Sequence, residues 1–510
     1  MMGSKTTRIG AALVILAFSM FIMFEDIGGS TAVKTGTAIS PSSVSVKSLQ
    51  VRLDPLGELK SALANLMNKN SSKEDAALSE AVSNQSIEDQ TIGDQTAEDQ
   101  TAENDYSVLV RQNGSNILVE DKKGNVISKR QAGSDDAAAI KESINLIDSG
   151  TILCIGTFHI LSPIDNLKSD IQLKGIPGQT VFDCSKMKTT VIPCGCDGSG
   201  YAGATALLIE DAPVGSRTVK VADAIGYSDG DFVKLVDNEN ITGFKKGEIL
   251  RIQNINNNEI VFDEPVRDDY TVANAANIRK LSMAEDITID GIKFTGPGLE
   301  TDLSLLGLNL LTDFRFANNE VANFGRAAIY LSDSLGSVIE NNSFENIYMT
   351  GFGYAVAVTN ACDDIYIKDN IFRVKGRHYI STGAGTGSRS SGGFVRNIKI
   401  LNNTFENCIQ EAVNTHPPFI GPIEIIGNRF ISDGKGIEIS NGNTVIVDNI
   451  FTKCPIGIQL LGDEDRTHMI RSNEFKDYEK KIIIETKNMT VYGNICNGEF
   501  RVHGDEIEFM

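Results

Sequence analysis

Tryptophan is absent from the chain, and histidine occurs only five times in 510 residues. Any flat apolar platform must therefore come from tyrosine or phenylalanine, and imidazole chemistry is confined to five places. Basic residues are also scarce, 47 against 67 acidic, for a formal net charge of -20. A deficit of that size argues against nucleic acid or an anionic membrane surface as a partner. Long apolar runs are nearly missing. Residues 10–24, GAALVILAFSMFIMF, come after Lys5 and Arg8 and are short for a spanning helix. They read as a secretory signal with Ser30-Thr31-Ala32 at the cleavage point, or else as an uncleaved anchor over residues 1–32, which would be the chain's one link to a membrane.

The next segment is read as lacking order as well. Residues 33–105 read as a stalk. The part from Glu74 to Asp105 holds ten acidic residues and no Lys or Arg, and repeats IEDQT, IGDQT, AEDQT. Such a segment cannot bury enough apolar surface to fold and is expected to be a disordered spacer.

What is present is a repeat. Between residues 287 and 496 one phrase recurs: alternating apolar residues, two small or polar residues, Asn, any residue, Phe. The slot read as Gly291 in the first copy becomes Asn319, Asn342, Asn370, Asn403, Asn428, Asn449, Asn473 and Asn494, at steps of 28, 23, 28, 33, 25, 21, 24 and 21 residues. A period in the low twenties built from short strands marks a solenoid. It lacks the leucine skeleton of a leucine-rich repeat and is too short for propeller blades of about 40 residues. Asn suits the tight bend, and stacked coils would form an Asn ladder at about 4.8 Å with the Phe residues beneath it. Each coil is expected to carry about three strands.

The lead-in from Tyr106 reads as a hairpin turning at Asn113-Gly114. Ser134 then offers an N-cap, and Ala137, Ile140, Ile144 and Ile147 form one apolar stripe of a helix that would close the end of the solenoid. Asp135-Asp136-x-x-Ala-Ile140, then Gly150-Thr151, Gly156-Thr157-Phe158 and LKSDIQLKGIPGQTVFD, resembles the amino-terminal signature of pectate-lyase-like right-handed parallel β-helix proteins. The resemblance covers residues 106–500. It implies an all-β, right-handed parallel β-helix solenoid with an N-terminal capping helix, and an action on polysaccharide. The cap and first coils are expected over 106–203, a small β insert over 204–280, and the remaining coils over 281–510. By analogy the insert forms one wall of a substrate groove.

The eight cysteines carry no zinc spacing. Cys408 and Cys454 each fall five residues after a ladder Asn and are expected as core thiols. Cys184 with Cys194 or Cys196 would make a disulfide outside the cell.

Chemistry is expected where the repeat breaks. The two longest consecutive steps, 28 and 33, insert Gly-rich loops around YMTGFGYAV and GRHYISTGAGTGSRSSGG, and the next coil carries EAVNTHPP. Arg377-His378 and Asn414-Thr415-His416 look like the Arg-His and Asp-Thr-His pairs of uncharacterised family members, with Asn in place of Asp. Alternation places Asn414, His416 and Glu438 outward together. The register at Arg377-His378 stays open by one residue, because either Tyr379 or Ile380 can be the inward one.

A polysaccharide lyase needs a cation against the uronate carboxylate and a base near the acidic carbon. Arg377 suits the first, and His378 or His416 the second. Tyr354 or Tyr379 would return the proton, with Arg389, Glu411, Asn414 and Glu438 lining the substrate. A glycoside hydrolase is the alternative, but needs two carboxylates about 5 to 9.5 Å apart, and no outward column pairs them. A surface β-helix that binds glycan without cleaving it is the alternative of another class. No cofactor is implied outright. Calcium is left open, since Asp363-Asp364 alone is a weak carboxylate cluster. The expected partner is an extracellular polysaccharide or surface glycan, and trimers are familiar among tailspike members.

Overall fold

The computed structural model describes residues 105–195, 199–241, 244–383, 392–416, 421–440, 442–461, 466–476, 482–485, 489–496, 501–502 and 507–509. The leader, the stalk up to residue 104, Cys196 and Arg389 lie outside them.

The described chain is a parallel β-helix. Three columns of short strands run side by side, each strand pairing in parallel with its counterpart one coil away. The first column runs from Thr288–Asp290 to Ile507–Phe509, the second from Lys293–Thr295 to Ile495–Cys496, and the third from Ile192–Cys194 to Arg501–Val502. The second column succeeds the first within one short phrase, because the residue before each ladder Asn turns left-handed. Asn318, Asn341, Asp369, Asn402, Asp448 and Ser472 have φ between 55 and 57°, and Gly427 and Gly493 stand in the same slot. Asn and Asp tolerate that conformation best among residues with a side chain.

The ladder Asn therefore does not make the bend; it staples it. Each Nδ2 donates to Oδ1 of the Asn one coil on, from Asn319 to Asn494, at 2.9 to 3.2 Å. The same Oδ1 accepts the backbone N–H of the preceding coil's Asn, as Asn403 does from Asn370 at 2.9 Å. Strand pairing also corrects the first copy. Ile289 pairs with Phe316, so Gly291 occupies the left-handed slot and Ile292 the Asn slot, where its N–H meets Asn319 Oδ1 at 2.9 Å.

Beneath the ladder, Phe344, Phe372, Phe405, Phe430, Phe451 and Phe475 stack with ring centroids 4.7 to 5.0 Å apart. Burying each ring contributes about 1.5 to 3 kcal/mol. Cys408 and Cys454 are buried free thiols in this core. Cys184 is a buried free thiol as well, and Cys194 is buried. The Cys184–Cys194 disulfide is therefore not made, each thiol lying instead against a backbone carbonyl.

The amino-terminal end carries the strands Val108–Asn113, Asn116–Asp121 and Val126–Gln131, then α1 (Ala137–Leu146). Ala137, Ile140 and Ile144 of α1 enter the main core. Ser134 is not the N-cap; its hydroxyl donates to the Gln131 carbonyl. Asp136 precedes the helix and accepts from Gly133 N–H and His159 N–H, while Asp135 accepts from Leu161 N–H. The paired aspartates tie the helix start to the first coil.

Six antiparallel strands between Thr205 and Leu281 form a separate sheet with its own core around Leu235, Ile252, Phe262 and Ile278. This sheet docks on the turns at the end of the third column. Lys234 pairs with Asp333 at 2.6 Å, both fully buried, and Arg396 with Asp268 at 2.5 Å. Arg267 pairs with Asp363, whose other oxygen accepts from Asn397 and Asp364 N–H. Asp363 is thereby an anchor of the insert. The insert reaches the far end of the third-column strands, whereas Tyr354 and His378 begin theirs.

Candidate functional site

The third column bends at its start. Tyr354, His378, Glu411 and Lys435 open the strands Tyr354–Thr359, His378–Gly383, Glu411–Thr415 and Lys435–Ile439 on successive coils. Just after them two consecutive residues turn inward: Ala355 and Val356, Tyr379 and Ile380, Ala412 and Val413 all join the core. That corner resolves the open register, because both Tyr379 and Ile380 are inward, while His378 is buried outside that core against Tyr354 and His416. Gly376 makes room for it, since a Cβ there would lie 2.5 Å from the Tyr379 ring.

Tyr379 is consequently removed from the candidate substrate residues. Its ring packs against Phe372 and Phe405 and its hydroxyl donates to the Glu406 carbonyl at 2.5 Å. It has no exposed surface. Arg389 lies outside the described residues.

Tyr354, Arg377, His378, Glu411, Asn414, His416 and Glu438 come together. The Tyr354 ring stacks on His378 at 5.8 Å and meets His416 edge-on at 6.4 Å, while the two imidazoles lie 5.5 Å apart. Arg377 donates to the Tyr354 hydroxyl oxygen at 3.1 Å, to Gln410 Oε1 at 2.9 Å, and to the Gly351 carbonyl. His378 Nδ1 faces two oxygens of Glu411, the carbonyl at 3.1 Å and Oε2 at 3.2 Å. Facing two acceptors, Nδ1 is assigned the hydrogen, which leaves Nε2 of the neutral ring as the bare lone pair.

One residue of this network was not among the expected ones. Lys435 Nζ lies 2.9 Å from Glu411 Oε1 and 2.5 Å from Glu438 Oε2, and Asn414 Nδ2 donates to Glu438 Oε1 at 3.2 Å. Glu411 and Glu438 thus meet through one ammonium, although their backbones occupy different positions of the column. The only sequence signal for Lys435 is its place at the start of a third-column strand.

Electrostatics separates the roles. Burial would raise the Glu411 carboxyl, but its bonds from His378 and Lys435 outweigh burial and hold it at about 2. Burial, with the Arg377 guanidinium nearby, pushes the His416 imidazole down to about 3. His416 is therefore a neutral ring at ordinary pH. Burial pushes Lys435 down, but Glu411 and Glu438 outweigh this and raise it.

Buried polar atoms without a partner gather here. His378 Nε2, His416 Nε2, Asn414 Oδ1, Thr382 Oγ1 and Gln459 Oε1 are buried and make no hydrogen bond. Native structures leave few such groups, and these five lie along the third column, on the coils of His378–Gly383, Glu411–Thr415 and Ile456–Leu461. Among the described residues no three His, Cys, Asp or Glu side chains converge as a metal-holding group.

No family model matches the chain. A capsule K1-specific depolymerase of Klebsiella phage K64-1 is 27% identical over 199 residues, covering 36% of this chain and 22% of that protein. The chain thus spans about a fifth of the length of the curated relative it matches. Among solved structures, the tailspike gp61 of Pseudomonas phage phi297 has a TM-score of 0.47 at 14% identity, over 73% of this chain and 68% of that one. The tailspike gp49 of Pseudomonas phage LKA1 has a TM-score of 0.47 at 17% identity, over 71% of each chain.

Proposed function

We propose that the protein acts outside the cell on a uronate-containing polysaccharide and cleaves it by β-elimination. The observation that carries this reading is the carboxylate-tethered His378, whose Nε2 is buried and unpartnered beside an arginine and a tyrosine. A neutral imidazole oriented by a carboxylate is a general base ready to work near neutral pH. Arg377 offers its guanidinium to the uronate carboxylate, which makes the neighbouring ring proton more acidic. His378 Nε2 takes that proton. The electron pair left behind forms the ring double bond as the bond to the leaving glycosidic oxygen breaks, and Tyr354 O–H supplies the proton to that oxygen. The similarity of part of the chain to a capsule depolymerase supports polysaccharide as the substrate class.

Hydrolysis is the second reading, favoured by the meeting of Glu411 and Glu438 at Lys435. Such an enzyme needs one carboxyl kept protonated as the acid. Glu411, held at about 2, is the opposite, and the Lys435 ammonium lies between the two carboxylates.

The test is ultraviolet absorbance of the unsaturated uronate while the full chain is incubated with a panel of uronate polysaccharides, beside a His378→Ala control. The expected result is a rise that the substitution lowers by roughly 10²- to 10⁴-fold. Flat absorbance with accumulating reducing ends would replace elimination by hydrolysis, and neither signal would leave a glycan-binding protein.

A further inference from the structure

We infer that Lys375, seated on Tyr348, is a second anion-binding subsite beside Arg377, so that the ligand is a polysaccharide carrying acidic groups on neighbouring sugars. This rests on the reading of Arg377 as the carboxylate-binding residue of the proposed site. Two independent features of the coil lead to it.

The first is a strained bulge. Where Ser343–Ile347 pairs with Ile371–Gly376, Glu345 faces Arg373 and Ile347 faces Gly376, so the second strand carries one extra residue. Within that bulge Val374 has φ 74° and is 52% exposed. Left-handed geometry is avoided by β-branched residues, and an exposed valine gains nothing from burial to offset it. Bulges of this kind re-aim a side chain. The one re-aimed here is Lys375, whose Nζ lies 3.9 Å from the centre of the Tyr348 ring.

The second is charge. Arg373, just before the bulge, is paired with Glu345, and Arg326 on the adjoining loop is paired with Asp302 at 2.7 Å. Lys375, in the bulge, and Arg377, just after it, have no carboxylate within ion-pair distance among the described residues, in a chain where acids outnumber bases 67 to 47. Each instead sits over a tyrosine, Tyr348 or Tyr354. These tyrosines are the two ends of one tight loop. Glu300 fixes that loop by accepting from Thr350 N–H and hydroxyl at 2.8 and 3.2 Å, so this nearby acid is already engaged. Arg377 closes the loop from the other side through the Gly351 carbonyl. Two cations with one residue between them, each steadied on a ring face and each lacking an acid, make a receptor for two acidic groups.

The experiment measures binding of the full chain to polygalacturonate, alginate and hyaluronate by affinity electrophoresis, each beside its carboxyl-reduced form. Lys375→Met is expected to weaken binding of at least one acidic polymer by about tenfold, to leave the reduced polymer unaffected, and to be rescued by Lys375→Arg. Unchanged affinity in Lys375→Met, an equal loss for the reduced polymer, or no binding of any acidic polymer by the unaltered chain would overturn the inference. Loss of binding in Arg377→Met with none in Lys375→Met overturns the second subsite and leaves the proposed site standing. Acid-dependent binding through Lys375 with no unsaturated product supports the subsite and removes the elimination.

Discussion

Two asparagines eleven residues apart, Asn403 and Asn414, are both buried and have opposite fates. Asn403 belongs to the ladder. Its Oδ1 accepts from Asn370, and its Nδ2 donates to Asn428 and to the Ile367 carbonyl. Asn414 spends its Nδ2 on Glu438 and leaves Oδ1 buried and unpartnered. The same side chain is satisfied in one column and left open in another. Buried polar groups that are all bonded hold a fold together, and those left short on one strip are what the proposed site would offer a ligand.

The comparison breaks first at the ladder. Asn403→Ala strands the amide donors of Asn370 and the acceptor of Asn428, and is expected to cost about 3 to 5 kcal/mol. Asn414→Ala is expected to cost under about 1 kcal/mol while weakening polysaccharide binding. Chemical denaturation of the two variants side by side checks this, and equal losses would dissolve the distinction.

Glu411→Gln is the next largest. It keeps the shape but weakens the hold on His378, and turnover is expected to fall roughly 10- to 100-fold, about 1.4 to 2.7 kcal/mol in the barrier. The same variant has a pH signature. The folded Glu411 carboxyl is held at about 2, below its ordinary 4.5. Its contribution to stability is therefore fully present above pH 4.5 and lost as the pH falls through 2. Melting temperatures taken across that window should fall less steeply for Glu411→Gln than for the unaltered protein.

Tyr379→Phe is the smallest. Losing the bond to the Glu406 carbonyl is expected to cost about 1 kcal/mol with turnover unchanged, and a drop in turnover would return Tyr379 to the site.

The solenoid is legible in the sequence because its signal is repeated: nine copies of one phrase average out the irregularity of any single coil. Where one copy departs, the reading slips, as at Gly291, which shares a turn residue with the later copies but precedes the Asn slot by one. The site is legible only in outline. Loop insertions and paired histidines point to the coils on which these side chains meet, yet alternation assumes a straight strand, and this one turns two neighbours, Tyr379 and Ile380, inward together. Lys435 escapes altogether, because its meaning comes from Glu411 on the preceding coil. A lone lysine between two apolar runs looks like any solvated residue until the coils are stacked.

The phenylalanine column has a consequence for what the protein can read. Its spacing of 4.7 to 5.0 Å is a ruler, and side chains at equivalent strand positions of neighbouring coils follow it. A glycan lying along the axis would be sampled at that interval. If the proposed ligand lies this way, a polymer whose own repeat keeps time with the ruler would be gripped by coil after coil, and one that does not would drift out of phase within a few sugars and be recognised at a single spot.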